Sequence, residues 1–373
     1  MNFTTDQRKL ASAVSWAARR VPSRPESPIL AGILIDLDDA RAYFTGFDHE
    51  VMATAVLEPD GPWTPGKCVV SGRLLAELVK SLPPKPVRIA FDDHDETYLT
   101  LTCGPVKATL PLMPAEDYPS LPTAPEPIGT VHAEDFAKQV ARVAPACDFT
   151  MERALPALTG IHLAFGDDRL TVAATDRFRL ATNTVPGWRP NPDVAEQVDF
   201  PILVPGAVLV DVLKVCDFDG PLEIGVTGGT VSFDTGQRTI VSSLLDANDF
   251  PSHGGRIRSR AVTPTVIEVE PMTDALKRAV MVLDAKEPVW LAFDNGHVLL
   301  TAGSGRGQVT AELECDHPGK PLEIAVNPHY FADAIAHTGE FAELTIADPR
   351  KPVLVTAPKD EAFVHVVMPI RAN

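Results

Sequence analysis

Cysteine is scarce and scattered. The chain of 373 residues holds five, Cys68, Cys103, Cys147, Cys216 and Cys315, an odd number with no C-x-x-C spacing. That pattern argues against a disulfide framework or a zinc site and for a reducing compartment. Long apolar runs are missing, so no segment reaches the ~20 residues that cross a bilayer, and no membrane partner is expected. The opening MNFTTDQRKLASAV has no basic region followed by an apolar stretch and a cleavage site, so no export signal is read and the cytoplasm is expected. Positive charge is in deficit. Lysine and arginine number 33 against 50 aspartates and glutamates, a formal net charge of −17. Taken whole, that charge repels a polyanion.

Catalytic motifs are also lacking. GSGRGQ (303–308) does not have G-x-G-x-x-G spacing, and an alternating strand follows it, so it reads as a hairpin loop. His49-Glu50 is not H-E-x-x-H. Asp92-Asp93 and Asp167-Asp168 read as solvated turn acids, and Ser71 and Ser304 have no evident base beside them. No catalytic residue, metal ligand or cofactor is assigned, and the chain is not expected to be an enzyme.

What the chain does contain is one long unit written three times. The first copy runs SPILAGILIDL, YFTGFDHEVMATAVL, VVSGRLLAELVKSL and YLTLTCGPVKATLPLMPAEDYPS. The second runs ALPALTGIHLAF, LTVAATDRFRLATNTV, LVPGAVLVDVLKVC and VSFDTGQRTIVSSLLDANDFPS. The third, fainter, runs EPVWLAF, VLLTAGSGRGQVTAEL, AVNPHYFADAIAHT and PVLVTAPKDEAFVHVVMPIRAN. Gly32 and Gly160 precede strands whose inward residues are expected to be Ile33, Ile35, Leu37 and Ile161, Leu163, Phe165. Val289, Leu291 and Phe293 keep the same two-residue period. A repeat of this length supports a small domain per copy rather than a solenoid. The fold class is therefore α+β, with three tandem copies of a domain in which two helices pack on antiparallel sheet. Boundaries are expected at 1–122, 127–253 and 262–373, joined by PSLPTAPEPIGT and the basic PSHGGRIRSRAVTPT.

In each copy at least one helix bears lysine or arginine beside its apolar stripe. Thr4 with Gln7 suggests a capping box for the first, whose apolar stripe is Leu10, Val14 and Ala17. From Gln7 to Pro25 the chain carries Arg8, Lys9, Arg19, Arg20 and Arg24 and no acid. The matching helices of the other copies carry Lys138 and Arg142, then Lys277 and Arg278. The second helix of each copy carries Arg73 and Lys80, then Lys214, then only histidines. Any one such face is an ordinary solvated helix surface. Recurrence at one place in the repeat points instead to a cationic channel within an acidic protein.

At this point the residues resemble the bacterial sliding clamp family, the beta subunit of the replicative DNA polymerase. The resemblance rests on MNFT, on Arg24 to Gly32, on TDRFRL (175–180), on DYPSLP (117–122) and on VVMPIR (366–371), and covers essentially the whole chain. TDRFRL in place of the commoner TDGHRL is similar to the actinobacterial branch. The resemblance implies a crescent subunit forming half of a ring, closed head to tail by a second copy. It implies that the ring encircles duplex DNA without reading sequence, through lysine and arginine contacts to phosphates. Arg24 matches a family DNA contact; Arg8, Lys9, Arg19, Arg20, Arg73, Lys80, Lys138, Arg142, Lys214, Lys277 and Arg278 are the other channel candidates.

The resemblance also implies a groove for short partner peptides between the second and third domains. Implied partners are the DNA polymerase III alpha subunit, the clamp loader, and other polymerases and repair proteins. Matching positions are Leu158, Thr175, Arg177, Arg179, Leu180, Pro251, Asn327, Tyr330, Val353, Val366, Met368, Pro369, Ile370 and Arg371. An apolar floor with an adaptable methionine and a few polar groups suits a variable peptide. The homodimer joint is expected to bring Lys107, Ala108 and Leu110 against Glu312 and Glu314. Departures from the family pattern at Gly254, Gly255, Arg256, Lys286 and Ala372 raise a second reading, a divergent paralogue serving repair or resistance to a groove-binding inhibitor. A repeat-built hydrolase whose site escapes motif recognition is the alternative from another class.

Overall fold

The structure, a computed structural model, describes all residues except 93–94, 150–154, 194–199, 214–219, 252–263, 285–286, 304, 306 and 372–373. Helices fall where the repeat dictates. They are α1 (Gln7–Ala17), α2 (Gly72–Ser81), α3 (Ala133–Val143), the single turn α4 (Pro156–Thr159), α5 (Gly206–Leu213), α6 (Val269–Val280) and α7 (Pro328–Ile335). Among the described residues no helix is long and apolar enough to cross a membrane.

Helix α1 forms because Leu10, Ala13, Val14 and Ala17 recur on one face, and all are buried, with Trp16 beside them. Its cap differs from the expected box. Thr4 lies in the strand Asn2–Thr5, and Asp6 is the N-cap, its carboxylate accepting the N–H groups of Arg8 (2.8 Å) and Lys9 (3.2 Å). The strand register of Thr4 opposite Arg88 keeps it out of the cap. Gln7 instead turns inward and donates to the Val79 carbonyl (2.8 Å), tying α1 to α2.

The chain divides into two compact units, and the division passes through the middle repeat. In the first unit a 13-stranded antiparallel sheet contains all the strands of the first repeat. Val51–Leu57 then pairs with Arg238–Ser243, which leads into Thr230–Asp234, Pro221–Val226, Pro127–His132 and Arg189–Pro190 of the second. In the second unit a 12-stranded sheet starts with Ile202–Pro205, Gly160–Phe165, Leu170–Thr175 and Arg179–Val185. Arg179–Val185 pairs with Asp360–Val367, which leads into the third repeat.

The two seams are the same seam. Val51–Leu57 and Arg179–Val185 occupy one position of the repeat, and Arg238–Ser243 and Asp360–Val367 occupy another. The remaining members of these classes are Val309–Asp316 in the third repeat and Val106–Met113 in the first. Among the described residues, each of these is paired along its length on one side only. Val309–Asp316 pairs with His297–Ala302, but meets Thr265–Glu268 only at Cys315 and Asp316. Val106–Met113 pairs with Asp95–Cys103, but meets Gly66–Ser71 only at Leu112 and Met113.

Strand alternation holds as expected. Ile33, Ile35, Leu37, Ile161, Leu163, Val289, Leu291 and Phe293 are all buried. Phe165 is only half-buried, resting 5.4 Å from Trp188 between ring centres. Leu34 is buried as well, because its opposite face is covered by Ile29, Leu30, Val69 and Tyr118. Gly32 and Gly160 permit close strand approach: a Cβ would sit 2.3 Å from Val69 Cγ1 and 2.5 Å from Leu203 Cγ. The second unit's core joins Met272 and Leu276 of α6 to Phe331 of α7 and to Leu291, Leu300, Val355 and Val367. Each such side chain, fully buried, stabilises the fold by ~1.5–3 kcal/mol. Cys68, Cys103 and Cys147 are buried free thiols, and burial pushes the thiols of Cys68 and Cys147 up to about 12. Cys216 lies outside the described residues.

Candidate functional site

A groove of about 520 Å³ opens in the second unit. The turn between Leu170–Thr175 and Arg179–Val185 forms one side of it. Asp176 fixes this turn by accepting the N–H groups of Phe178 (3.0 Å) and Arg179 (2.9 Å). Thr175 Oγ1 donates to the Arg179 carbonyl (2.7 Å) and accepts the Arg177 N–H (3.2 Å). Arg177 is thereby held at φ +77°, and its side chain is exposed. The Phe178 carbonyl accepts the Met368 N–H (2.8 Å), clipping the turn to the last strand of the third repeat.

Arg179 is held rigidly at the edge of this groove. Its guanidinium donates to Asp176 (2.9 Å) and to Asp333 of α7 (2.5 Å), and lies 4.2 Å over the ring of Tyr330. Leu158, Leu180, Val366 and Met368 give the apolar lining, and Thr175, Arg177 and Pro251 complete the expected members present. Leu155, Ala157 and Asp249 also line it and were not anticipated. Asp249 follows from ANDFPS: Phe250 packs with Ala157, Ala173 and Leu203 and stacks on His162 at 4.5 Å, so its neighbours Asp249 and Pro251 are delivered to the rim. The duplicated motif was the available signal.

Other expected groove residues lie apart from this lining. Val353 is fully buried in the second unit's core, because it sits on the helix-facing side of its strand, and its assignment to the groove is corrected. Asn327 is the N-cap of α7, accepting the N–H groups of His329 and Tyr330. Tyr330 stands beside the groove under Arg179, stacked on Phe178 at 6.4 Å. Pro369 is half-buried, the Ile370 N–H donates to the Ala325 carbonyl (2.7 Å), and Arg371 is exposed. Gly254, Gly255, Arg256, Lys286 and Ala372 lie outside the described residues.

The basic helix residues separate cleanly. Arg8, Lys9, Arg19, Arg24, Arg73, Lys80, Lys138, Lys277 and Arg278 are exposed, and Arg20 is half-buried. Lys277 is partly neutralised by Asp274 at 3.1 Å. Arg142 is a correction. It is buried, paired with Asp360, donates to the His337 carbonyl (2.7 Å) and to Gln139 (3.1 Å), and lies 4.4 Å over Phe363. Buried and already ion-paired, this guanidinium is not presented to a phosphate. Lys214 lies outside the described residues.

At the two one-sided strands, Lys107 is exposed and Ala108 half-buried, while Glu312 and Glu314 are exposed. Leu110 is a further correction: it is 2% exposed and faces the first unit's core, so it is not available to a partner.

The comparisons with known proteins agree along the whole chain. Family models of the DNA polymerase III beta subunit match three consecutive stretches: the N-terminal domain over 1–122, the central domain over 130–252 and the C-terminal domain over 260–371. A beta sliding clamp of Streptomyces coelicolor is 34% identical, covering 100% of both chains. A beta sliding clamp homolog from Streptomyces muensis, GriR, is 28% identical over 100% of this chain and 99% of its own. A Pseudomonas aeruginosa sliding clamp solved with griselimycin has a TM-score of 0.90 at 24% identity, covering 100% of each chain. The chain belongs to the DNA polymerase III beta subunit family, the beta sliding clamps.

Proposed function

We propose that two copies of this chain close head to tail into a ring around duplex DNA and tether a replicative polymerase to it. One observation carries the reading. The seam that joins repeat one to two also joins repeat two to three, and the two strands left over are complementary members of that seam. Val309–Asp316 of one copy and Val106–Met113 of another would continue the pattern. A heterologous joint of this kind closes when the rotation permits. Glu312 and Glu314 opposite Lys107 favour the pairing, though exposed charges contribute little singly. The domains on this reading are 1–122, 127–253 and 262–373, and the protein works in the cytoplasm.

The exposed lysines and arginines of the helices would contact phosphates without favouring any base, which leaves the ring free to slide. The 520 Å³ groove would take short peptides of the polymerase alpha subunit, the clamp loader and repair proteins. Nucleotide transfer then belongs to the partner, and this chain supplies no chemistry of its own. Primer extension on a primed circular template, with loader and polymerase present, tests this directly. Product length should rise with the protein and fall back when Met368 and Leu180 are both changed to aspartate. Unchanged product length on adding the wild-type protein would end the proposal.

A second reading is favoured by Arg177. A charged, left-handed residue stands on the groove, and the homolog GriR is among the relatives. On that reading the chain is a divergent clamp whose groove is altered toward ligands other than the usual peptide. A consensus clamp-binding peptide bound as tightly as by the Streptomyces coelicolor clamp would count against it.

A further inference from the structure

The first unit has a concavity of its own, of about 360 Å³. Helix α1 provides one wall through Lys9, Ser12 and Ala13, which share a face with Trp16. The floor is made where three neighbouring strands end. Arg41 begins Arg41–Phe47, Glu58 follows Val51–Leu57, and Arg238 begins Arg238–Ser243. Register holds these ends together: Ala42 lies opposite Leu57, Ala55 opposite Arg238, and the Val56 N–H donates to the Gln237 carbonyl (2.8 Å).

Three cations face this space and one carboxylate, Glu58, lines it. That balance runs against a chain of net charge −17. Arg238 is already oriented. Its guanidinium lies 5.4 Å over the Trp16 ring and donates to Ser12 Oγ (2.5 Å), while Trp16 itself donates to the Thr239 carbonyl (3.4 Å). Arg41 is exposed and has no ion-pair partner among the described residues. Among the described residues Lys9 pairs with Asp60, at 3.9 Å between two exposed side chains, a contact that holds it loosely. An oriented arginine fork with two exposed cations beside it is suited to an anion carrying more than one negative oxygen. Between the charges only small edges of Ala13, Ala55 and Leu57, all three buried, reach a lining that is more polar than apolar.

We propose that this cavity binds a free phosphate-bearing small molecule of nucleotide size, with its phosphates on Lys9, Arg41 and Arg238 and its uncharged part on Ala13, Ala55 and Leu57. The volume lies at the small end of ligand sites, roughly 300–1,000 Å³. A nucleic-acid backbone offers the same phosphate chemistry but is extended, whereas the three cations here line one compact concavity, which favours the free molecule.

Calorimetric titration of the full chain at low salt, with ATP, inorganic pyrophosphate, adenosine and a short DNA duplex as separate probes, tests the assignment. ATP and pyrophosphate should bind and adenosine should not. Arg41→Gln should weaken ATP about tenfold, the loss of one charge-assisted contact. Lys9→Gln should act in the same direction, and Arg169→Gln, whose side chain pairs with Asp168 elsewhere, should change nothing. Absence of ATP and pyrophosphate binding at millimolar concentration overturns the proposal. So does ATP binding that survives Arg41→Gln. Duplex binding lost in Arg41→Gln without any ATP binding gives the cations to the nucleic-acid backbone, and equally overturns it.

Discussion

Arg177 holds a backbone conformation that side-chain-bearing residues enter at a cost of about 1–3 kcal/mol. Arg177→Gly removes that strain at the expense of a more flexible unfolded chain. We expect a net gain of up to ~1 kcal/mol, read as a higher denaturant midpoint, with one cation removed from the groove. His365 is strained differently. It is fully buried, and among the described residues neither ring nitrogen has a hydrogen-bond partner. Burial, then the charges of Arg179 and His337, bring its pKa from 6.5 down to about 3. The unfolded chain therefore takes up a proton near pH 6.5 that the folded chain refuses until about pH 3. Stability is full above that window and falls as pH drops through it, by up to about 1.4 kcal/mol per unit. His337, also shifted down by burial and then by Arg142, adds in the same direction. His365→Leu should flatten the decline in urea midpoint between pH 6.5 and 4 while leaving stability near pH 7.5 unchanged or higher. An unaltered slope would contradict this. Residue-scale roles were the least legible in sequence. Lys138 and Arg142 stand one turn apart with the same charge, yet one is exposed and the other buried against Asp360, a residue distant in the chain. Spacing alone carries no record of that partner.

Strands and helices carry the architecture through close approach. Gly46 lies in Arg41–Phe47, and a Cβ there would sit 2.1 Å from the Ala17 carbonyl oxygen at the end of α1. Backbone cannot yield as a side chain does, so Gly46→Ala should cost more than ~2 kcal/mol, measured as a drop in urea midpoint. A change of less than a few tenths would show that α1 can shift freely. Much at this scale was readable in advance. The helices, the inward strand positions and the threefold order follow from period and repetition, because one buried face forces apolar residues to recur. The cap of α1 was misplaced by two residues, since Asp6 rather than Thr4 is free of the strand ladder. Which strands pair across repeats was not readable, as alternation specifies a face and not a neighbour. The seams supply that missing information, and with it the proposed joint. Charge reversal by Glu312→Lys with Glu314→Lys should weaken self-association, and Lys107→Glu added to it should restore part of the loss. Sedimentation velocity across a dilution series measures both. Equal association in all variants would remove these residues from the joint.

At the scale of the molecule, an acidic protein presents exposed cations on helices of all three repeats. On the proposed reading, the acidic remainder discourages DNA from binding elsewhere, and the contacts are weak and uniform enough to permit sliding. Stable attachment then comes from closure around the duplex rather than from affinity. That claim separates topological from ordinary binding, and a single comparison decides it. The protein is loaded onto nicked circular DNA, free protein is removed, and half of the complex is cut once with a restriction enzyme. Retention on the intact circle with rapid release from the linear product is the predicted result; equal retention on both would contradict an encircling ring.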